Sequence, residues 1–300
     1  MDNINIHNQF DNEDIHIEPS MEKQYLCTNY VRSCGFTLLM KLVLLTNKNK
    51  DAVTLIKKII NQDQNIIDKK NSSGYTALML AIANSYTCST ENTVKILVDA
   101  GANVNLQNKC GVSTLGFALS YDKNNIFEML INAGINTNLQ NKDGKTVLMG
   151  AAHSKDAHNI EKIKILLRAC ANVNLQDTSG RTALMYASEC YGCDSKTIIQ
   201  LLIDAGADVN LQDTSGWTAL MYACKNNYKT KIIVQLLIDV GADINLQNKD
   251  GDTALIILLK SVNWEKYNEK YSEKDIYCIL KTFTDAKFNS KNIKKGCYFK

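Results

Sequence analysis

Residues 213–251 read DTSGWTALMYACKNNYKTKIIVQLLIDVGADINLQNKDG, and this stretch decides the fold. Asp213-Thr214-Ser215-Gly216 has the composition of a tight turn, with Asp suited to its first position and Gly to its last. Thr218 is placed to N-cap a helix. Ala219–Cys224 supply that helix, and its small residues allow a neighbour to approach closely. A polar connection follows over residues 225–230. A second helix then carries Ile232, Ile233, Leu236, Leu237 and Val240 on its apolar side. Gly241 ends it as a left-handed residue just past the last turn. Residues 242–247 run extended into the next turn. Neither helix is long enough to stand alone in water, so each must bury its apolar side against a neighbour.

That neighbour is another copy of the same unit. AGANVNLQNKCG ends at Gly111, AGINTNLQNKDG at Gly144, ACANVNLQDTSG at Gly180, AGADVNLQDTSG at Gly216 and VGADINLQNKDG at Gly251. A degenerate copy, NIIDKKNSSG, ends at Gly74. After each of these glycines, and after Gly35, stands G-x-[TS]-x-L. The seven glycines are spaced by 39, 37, 33, 36, 36 and 35 residues. Seven occurrences at nearly constant spacing mark a linear repeat, and the variable lengths mark insertions in one loop of the unit. Stacking buries the shared apolar faces, which is why the unit occurs as an array.

The composition fits a single array of this kind. Hydrophobic residues make up 45% of the 300 positions and charged residues 22%, with a formal net charge of +3. So balanced a charge points neither to nucleic acid nor to an anionic membrane. Asn, Ile and Lys are abundant and proline occurs once, at Pro19, a bias expected of AT-rich coding sequence. The ten cysteines form no framework. Cys190 and Cys193 make one C-x-x-C, and the four histidines (His7, His16, His153 and His158) do not complete a zinc set. We expect reduced thiols, no metal and no cofactor, which fits the cytoplasm or the nucleus. The N-terminus lacks the basic and apolar regions of a signal peptide. No run approaches the ~18 consecutive apolar residues of a membrane span.

G-x-T-x-L-x-x-A, an apolar helix, then G-A-D-V-N resembles the ankyrin repeat signature over roughly residues 35–285. The wording TALM followed by NLQ[ND] is similar to ankyrin proteins of giant DNA viruses of amoebae. The resemblance implies an all-α solenoid of about seven helix–turn–helix units joined by β-hairpin fingers. It divides the chain into a polar, disordered segment at 1–24, an array at 25–285 and a basic tail at 286–300 that echoes a truncated repeat. Helices are expected at 36–46 and 51–61 in an atypical first unit. The family's T-P-L-H is altered here. Its proline is replaced by Ala77, Thr114, Val147, Ala183, Ala219 and Ala254, and its histidine by Met79, Gly116, Met149, Met185, Met221 and Ile256. The polar link made by that histidine is expected to be lost to apolar packing. Cys170 stands where other units have Gly101, Gly134, Gly206 and Gly241, and is strained if that site requires positive φ.

The resemblance also implies a function. Ankyrin arrays bind partners on finger tips and first helices, along a concave face. The family's contact positions map onto the residue after each turn glycine: Phe36, Tyr75, Val112, Lys145, Arg181, Trp217 and Asp252. From Tyr75 to Asp252 these vary while their neighbours repeat, so the scaffold does not dictate them. The expected activity is binding of an unidentified protein by a monomer, with no nucleic acid and no membrane. An acidic patch is expected opposite Lys145 and Arg181, beside an apolar pocket for Trp217. No phosphate loop, nucleophile elbow or carboxylate pair marks an enzyme. The alternative is a substrate-recruiting adaptor for a ubiquitin ligase, although no F-box-like motif follows Ser261. Asn210 and Asn245 lie in the L-x-x-x-x-x-D-[VI]-N context that asparaginyl hydroxylases use on ankyrin proteins.

Overall fold

The computed structural model describes residues 35–46, 51–84, 88–119, 124–154, 159–190, 194–225, 231–261 and 280–285. The chain divides into two compact units, residues 1–142 and 143–300. The N-terminal segment 1–24, the tail 286–300, His7, His16, His158 and Cys193 lie outside the described residues.

The first unit contains α1 (Leu38–Leu45), α2 (Asp51–Gln62), α3 (Ala77–Ala83), α4 (Cys88–Asp99), α5 (Thr114–Leu119) and α6 (Asn124–Asn132), with a 3-10 turn at Gln64–Ile66. They form the antiparallel pairs expected of the repeat. α1 packs on α2, α3 on α4 and α5 on α6, while first helices stack α1 to α3 to α5. The second unit contains α7 (Val147–His153), α8 (Asn159–Arg168), α9 (Ala183–Glu189), α10 (Ser195–Asp204), α11 (Ala219–Lys225), α12 (Lys231–Asp239) and α13 (Ala254–Ser261). Its first helices stack α7 to α9 to α11 to α13, and its second helices α8 to α10 to α12. Residues 280–285 are helical and occupy the second-helix place after α13, where the Thr282 hydroxyl donates to Gln235 Oε1 at 2.7 Å. No extended strand forms among the described residues. The fingers show one isolated antiparallel bridge, Gln107 with Ser113.

First helices are buried nearly all round, because they contact both their own second helix and the adjacent first helices. In α11, Ala219 through Cys224 are all buried. Second helices bury one stripe. In α12 this is Ile233, Val234 and Leu237, whereas Ile232 is 58% and Val240 39% exposed. The sequence-based stripe is corrected on those two residues, which lie outside the face that α12 buries.

Each first helix starts at a Ser or Thr whose hydroxyl accepts the N–H three residues on, as Thr218 does from Met221 at 3.2 Å. The methionines in the histidine position do more than fill space. Met149 Sδ accepts the Thr146 N–H at 3.4 Å and Met185 Sδ accepts the Thr182 N–H at 3.4 Å. In these two repeats the expectation that the polar link is lost is corrected: a weak sulfur acceptor closes the capping box.

Two kinds of glycine hold the unit together. Gly180 has φ +77°, and a Cβ there would lie 2.7 Å from the Thr214 backbone nitrogen of the next finger. The Thr214 N–H in turn donates to the Ser179 carbonyl at 2.9 Å, so neighbouring fingers touch through backbone. Gly206, with φ +88°, closes the end of α10 and has open space where a Cβ would stand. Cys170 closes α8 with the same two bonds, its own N–H to Leu167 O and the Ala171 N–H to Leu166 O. It does so at φ +57°, the one positive φ among described non-glycine residues, as the register against Gly206 predicts.

Candidate protein-binding surface

The fingers are fastened to each other before any side chain of the variable row is placed. Gln176 Nε2 donates to Gly180 O within its own finger and to Gln212 O in the next at 3.0 Å, and Gln212 repeats this toward Gln247 O at 2.9 Å. Asn174 Oδ1 accepts the Asp208 N–H at 2.8 Å while its Nδ2 reaches Gly206 O at 3.0 Å. Asn210 does the same with Asp243 N–H and Gly241 O, so its exposed amide is engaged by the following finger.

The turn residue three before each glycine sets the row. Asp177 Oδ1 accepts the N–H groups of Ser179 and Arg181, each at 2.9 Å, and Asp213 Oδ1 accepts those of Ser215 and Trp217, each at 2.8 Å. Asn71, Asn108 and Asn248 hold Tyr75, Val112 and Asp252 in the same way. Five row residues thus share one backbone anchor.

Tyr75 and Val112 belong to the first unit, where the Tyr75 ring tilts against Phe117 with centroids 5.4 Å apart. Lys145, Arg181, Trp217 and Asp252 belong to the second unit, and there the row is joined to residues that the sequence reading did not single out. The Arg181 guanidinium lies 4.1 Å from the Tyr186 ring centroid and 4.4 Å from that of Tyr222, so it is sandwiched between first helices α9 and α11. Its Nη2 is ion-paired with Glu189. Lys145 Nζ stands 5.1 Å over Tyr186, and the exposed His153 meets the same ring edge-on at 5.3 Å. Trp217 is half-buried against Tyr222, with centroids 5.2 Å apart, and Lys225 Nζ lies 5.4 Å over the indole. Asp252 is bound by Lys260 through both oxygens, at 2.8 and 2.6 Å.

The two tyrosines are fixed from below. Tyr186 OH donates to Asp177 Oδ2 and Tyr222 OH to Asp213 Oδ2, each at 2.6 Å. Burial, and then the hydrogen bond to the carboxylate, holds both phenols above the ordinary tyrosine range, so both stay neutral donors. Asp in the turn and Tyr nine residues on occur together in these two units alone. The turns before Gly74, Gly111, Gly144 and Gly251 have Asn, paired at that distance with Leu80, Phe117, Gly150 and Ile257. In two of these turns the Asn Nδ2, that of Asn71 and that of Asn248, is buried without a partner among the described residues. A second regularity links three row residues to the residue eight on, at the end of the first helix: Arg181 with Glu189, Trp217 with Lys225, Asp252 with Lys260. A cation at a helix C-terminus is favoured by the dipole, and Glu189 is not, so Arg181 offsets an unfavourable placement.

Cys190 of the C-x-x-C is buried, and its thiol donates to His153 O at 3.0 Å. No group of three metal-binding side chains stands together among the described residues. Nor is any helix among them long and apolar enough to cross a membrane.

Comparison with known proteins agrees with this geometry. A family model described as three copies of ankyrin repeats matches residues 115–213 and 190–266, and a single ankyrin repeat matches 73–109. Two ankyrin repeat proteins of Acanthamoeba polyphaga mimivirus are similar in sequence. One is 38% identical over 98 residues, covering 31% of this chain and 15% of the relative; the other is 34% identical over 91 residues, covering 30% and 10%. The chain therefore matches only a small part of these longer relatives. The ankyrin repeat domain of Bcl-3, a member of the IkappaB family, superposes with a TM-score of 0.64 at 26% identity, covering 82% of this chain and 99% of that domain. An ankyrin repeat domain from Acinetobacter baumannii has the same fold, with a TM-score of 0.57, 24% identity and coverage of 70% and 96%. With more than half of its length matched by the family model and its helix pairs stacked in the family's register, the chain belongs to the ankyrin repeat family.

Proposed function

We propose that this chain binds a partner protein on the fingers and first helices of its second unit, around Trp217 and the Arg181 sandwich. Ankyrin repeats are in general protein–protein interaction modules. The observation that carries the reading is the ladder of Lys145, Tyr186, Arg181, Tyr222, Trp217 and Lys225, in which side chains of three successive repeats are held against one another at 4.1–5.4 Å. Such pre-ordered aromatic and Arg side chains lose little entropy on association and are the types that dominate interfaces. Tyr75 and Val112 would extend contacts on the first unit, and Asp252 those on the second. The likeness to mimivirus proteins makes an amoebal host protein the first candidate.

A photo-cross-linking residue at position 145, compared with one at position 196 on α10, tests this in Acanthamoeba polyphaga lysate. Adducts from position 145 alone are expected, and Trp217→Ala should weaken the interaction by more than ~2 kcal/mol. Equal adducts from both positions would refute it. An adaptor role toward a ubiquitin ligase would lie in the segment after Ser261, of which the described residues include only 280–285.

A further inference from the structure

We infer that the ladder of the second unit recognises an acidic polypeptide segment, with Lys225 and Lys260, at the ends of the adjacent first helices α11 and α13, as its carboxylate contacts. This deepens the docking reading above and rests on it.

The outermost charges of this face are ammonium groups. The Lys260 side chain is 65% exposed while Asp252, which it binds, is 16% exposed. Lys145 and Lys225 are exposed, whereas Glu189 is half-buried beside Arg181. Carboxylates therefore lie behind cations, and an approaching chain meets the cations first. Lys260 makes contacts of 2.8 and 2.6 Å with the two oxygens of Asp252, and an ammonium carries three donors, so one remains for a ligand. Among the described residues no carboxylate lies within ion-pair distance of Lys225, whose ammonium is held 5.4 Å over the Trp217 ring.

Arg181 is the residue that the sequence alone makes the centre of an acid-binding patch. Its charge is satisfied internally by Glu189, and both faces of its guanidinium are covered by Tyr186 and Tyr222. Recognition of carboxylate thus passes to the first-helix ends, Lys225 on α11 and Lys260 on α13, one repeat apart. A partner acid that pairs with Lys225 lays its backbone over the indole that Lys225 already contacts.

The same geometry disfavours a single-stranded nucleic acid. Bases bind such surfaces by stacking on open aromatic faces. Here Tyr186 has Lys145 and Arg181 over it, Tyr222 has Arg181 and lies against Trp217, and Trp217 has Lys225. Cations already occupy each ring of the ladder.

The test uses the full chain and three labelled probes: a peptide alternating Glu with Leu, its Gln–Leu counterpart, and an oligothymidylate. Fluorescence anisotropy at low and moderate salt should show the Glu peptide binding at least tenfold tighter than the Gln peptide. Lys225→Glu with Lys260→Glu should weaken it tenfold or more. The same charge change on second helices, Lys196→Glu with Lys231→Glu, should leave it within about twofold, with circular dichroism reporting an intact fold for both. Equal binding of the Glu and Gln peptides, an equal loss in the second-helix variant, or tighter binding of the oligothymidylate would each overturn the inference. If the peptide arm fails while cross-links from position 145 persist and depend on Trp217, the acidic partner falls and the docking face stands. If the cross-links fail as well, both fall.

Discussion

The Tyr186 phenol donates to Oδ2 of Asp177, nine residues earlier and across the turn glycine, while Oδ1 of the same carboxylate binds the finger backbone. One aspartate thus ties a first helix to its own turn. Tyr186→Phe removes the donor from a nearly buried carboxylate oxygen and should cost about 1–3 kcal/mol in chemical denaturation. Asp177→Asn should cost less. Asn keeps both backbone bonds, as Asn248 shows in the last finger. Equal losses in the two variants would mean the phenol bond contributes little.

Alkaline pH should weaken the second unit. Burial and the bonds to Asp177 and Asp213 hold the Tyr186 and Tyr222 pKa values above the usual range. The folded-state pKa then exceeds the unfolded value of about 10. The associated stability is complete below pH ~10 and is lost as pH rises beyond it. The midpoint of thermal unfolding should therefore fall more steeply above that pH in the wild type than in a Tyr186→Phe/Tyr222→Phe double variant. Parallel curves would contradict the assignment.

The glycine positions should separate by environment. Gly206→Ala meets no neighbour and should cost only the left-handed backbone strain, about 1–2 kcal/mol. Gly180→Ala adds a contact of 2.7 Å with backbone that cannot swing aside, and should cost roughly 3 kcal/mol or more. Cys170→Gly relieves the same strain that Gly206→Ala introduces, and should stabilise by about 1 kcal/mol. Urea unfolding of the three variants checks the order, and a destabilising Cys170→Gly would break it.

A double-mutant cycle on Arg181 and Glu189 should return a coupling of about 1–2 kcal/mol, since both side chains are largely shielded and Arg181 also stacks on two rings. Coupling near zero would place the pair with ordinary surface ion pairs.

Leu220 is 1% exposed at the centre of α11, and Leu220→Ala should cost about 2–5 kcal/mol. A cost under ~1 kcal/mol in calorimetry would show that the stack around α11 closes over the gap.

The fold was legible because everything that defines it recurs. Turn, cap, apolar helix and closing glycine appear at nearly fixed spacing, so α1 at Leu38–Leu45 and α2 at Asp51–Gln62 fall close to the stretches read from sequence. The strain at Cys170 was legible for the same reason, by register with Gly206 and its equivalents. The site was only half legible. Comparing units column by column marks Arg181 and Trp217 as variable, but it does not show what they touch. Tyr186, Tyr222, Glu189 and Lys225 were missed because their meaning lies in pairs across columns, Asp with Tyr nine on and row residue with partner eight on. The methionine sulfur as acceptor, and the exposure of Ile232 and Val240, depend on side-chain geometry and on which neighbour a helix meets. A hydrophobic pattern does not contain either.

The Asn and Gln joints between these fingers run in one direction. Asn174 grips Gly206 and Asp208, Asn210 grips Gly241 and Asp243, and Gln176 and Gln212 each reach the carbonyl of the glutamine that follows. Every such cassette carries one plug and one matching socket, written in Asn, Gln and main chain. The side chains that face a ligand take no part in either. A segment of one period, cut at Asn174 and Asn210, could be duplicated in frame and would find its coupling already made on both sides. Lengthening such an array by recombination therefore needs no compensating change at the joint, and a new copy is free to diverge at Arg181 and Tyr186 from the moment it is inserted.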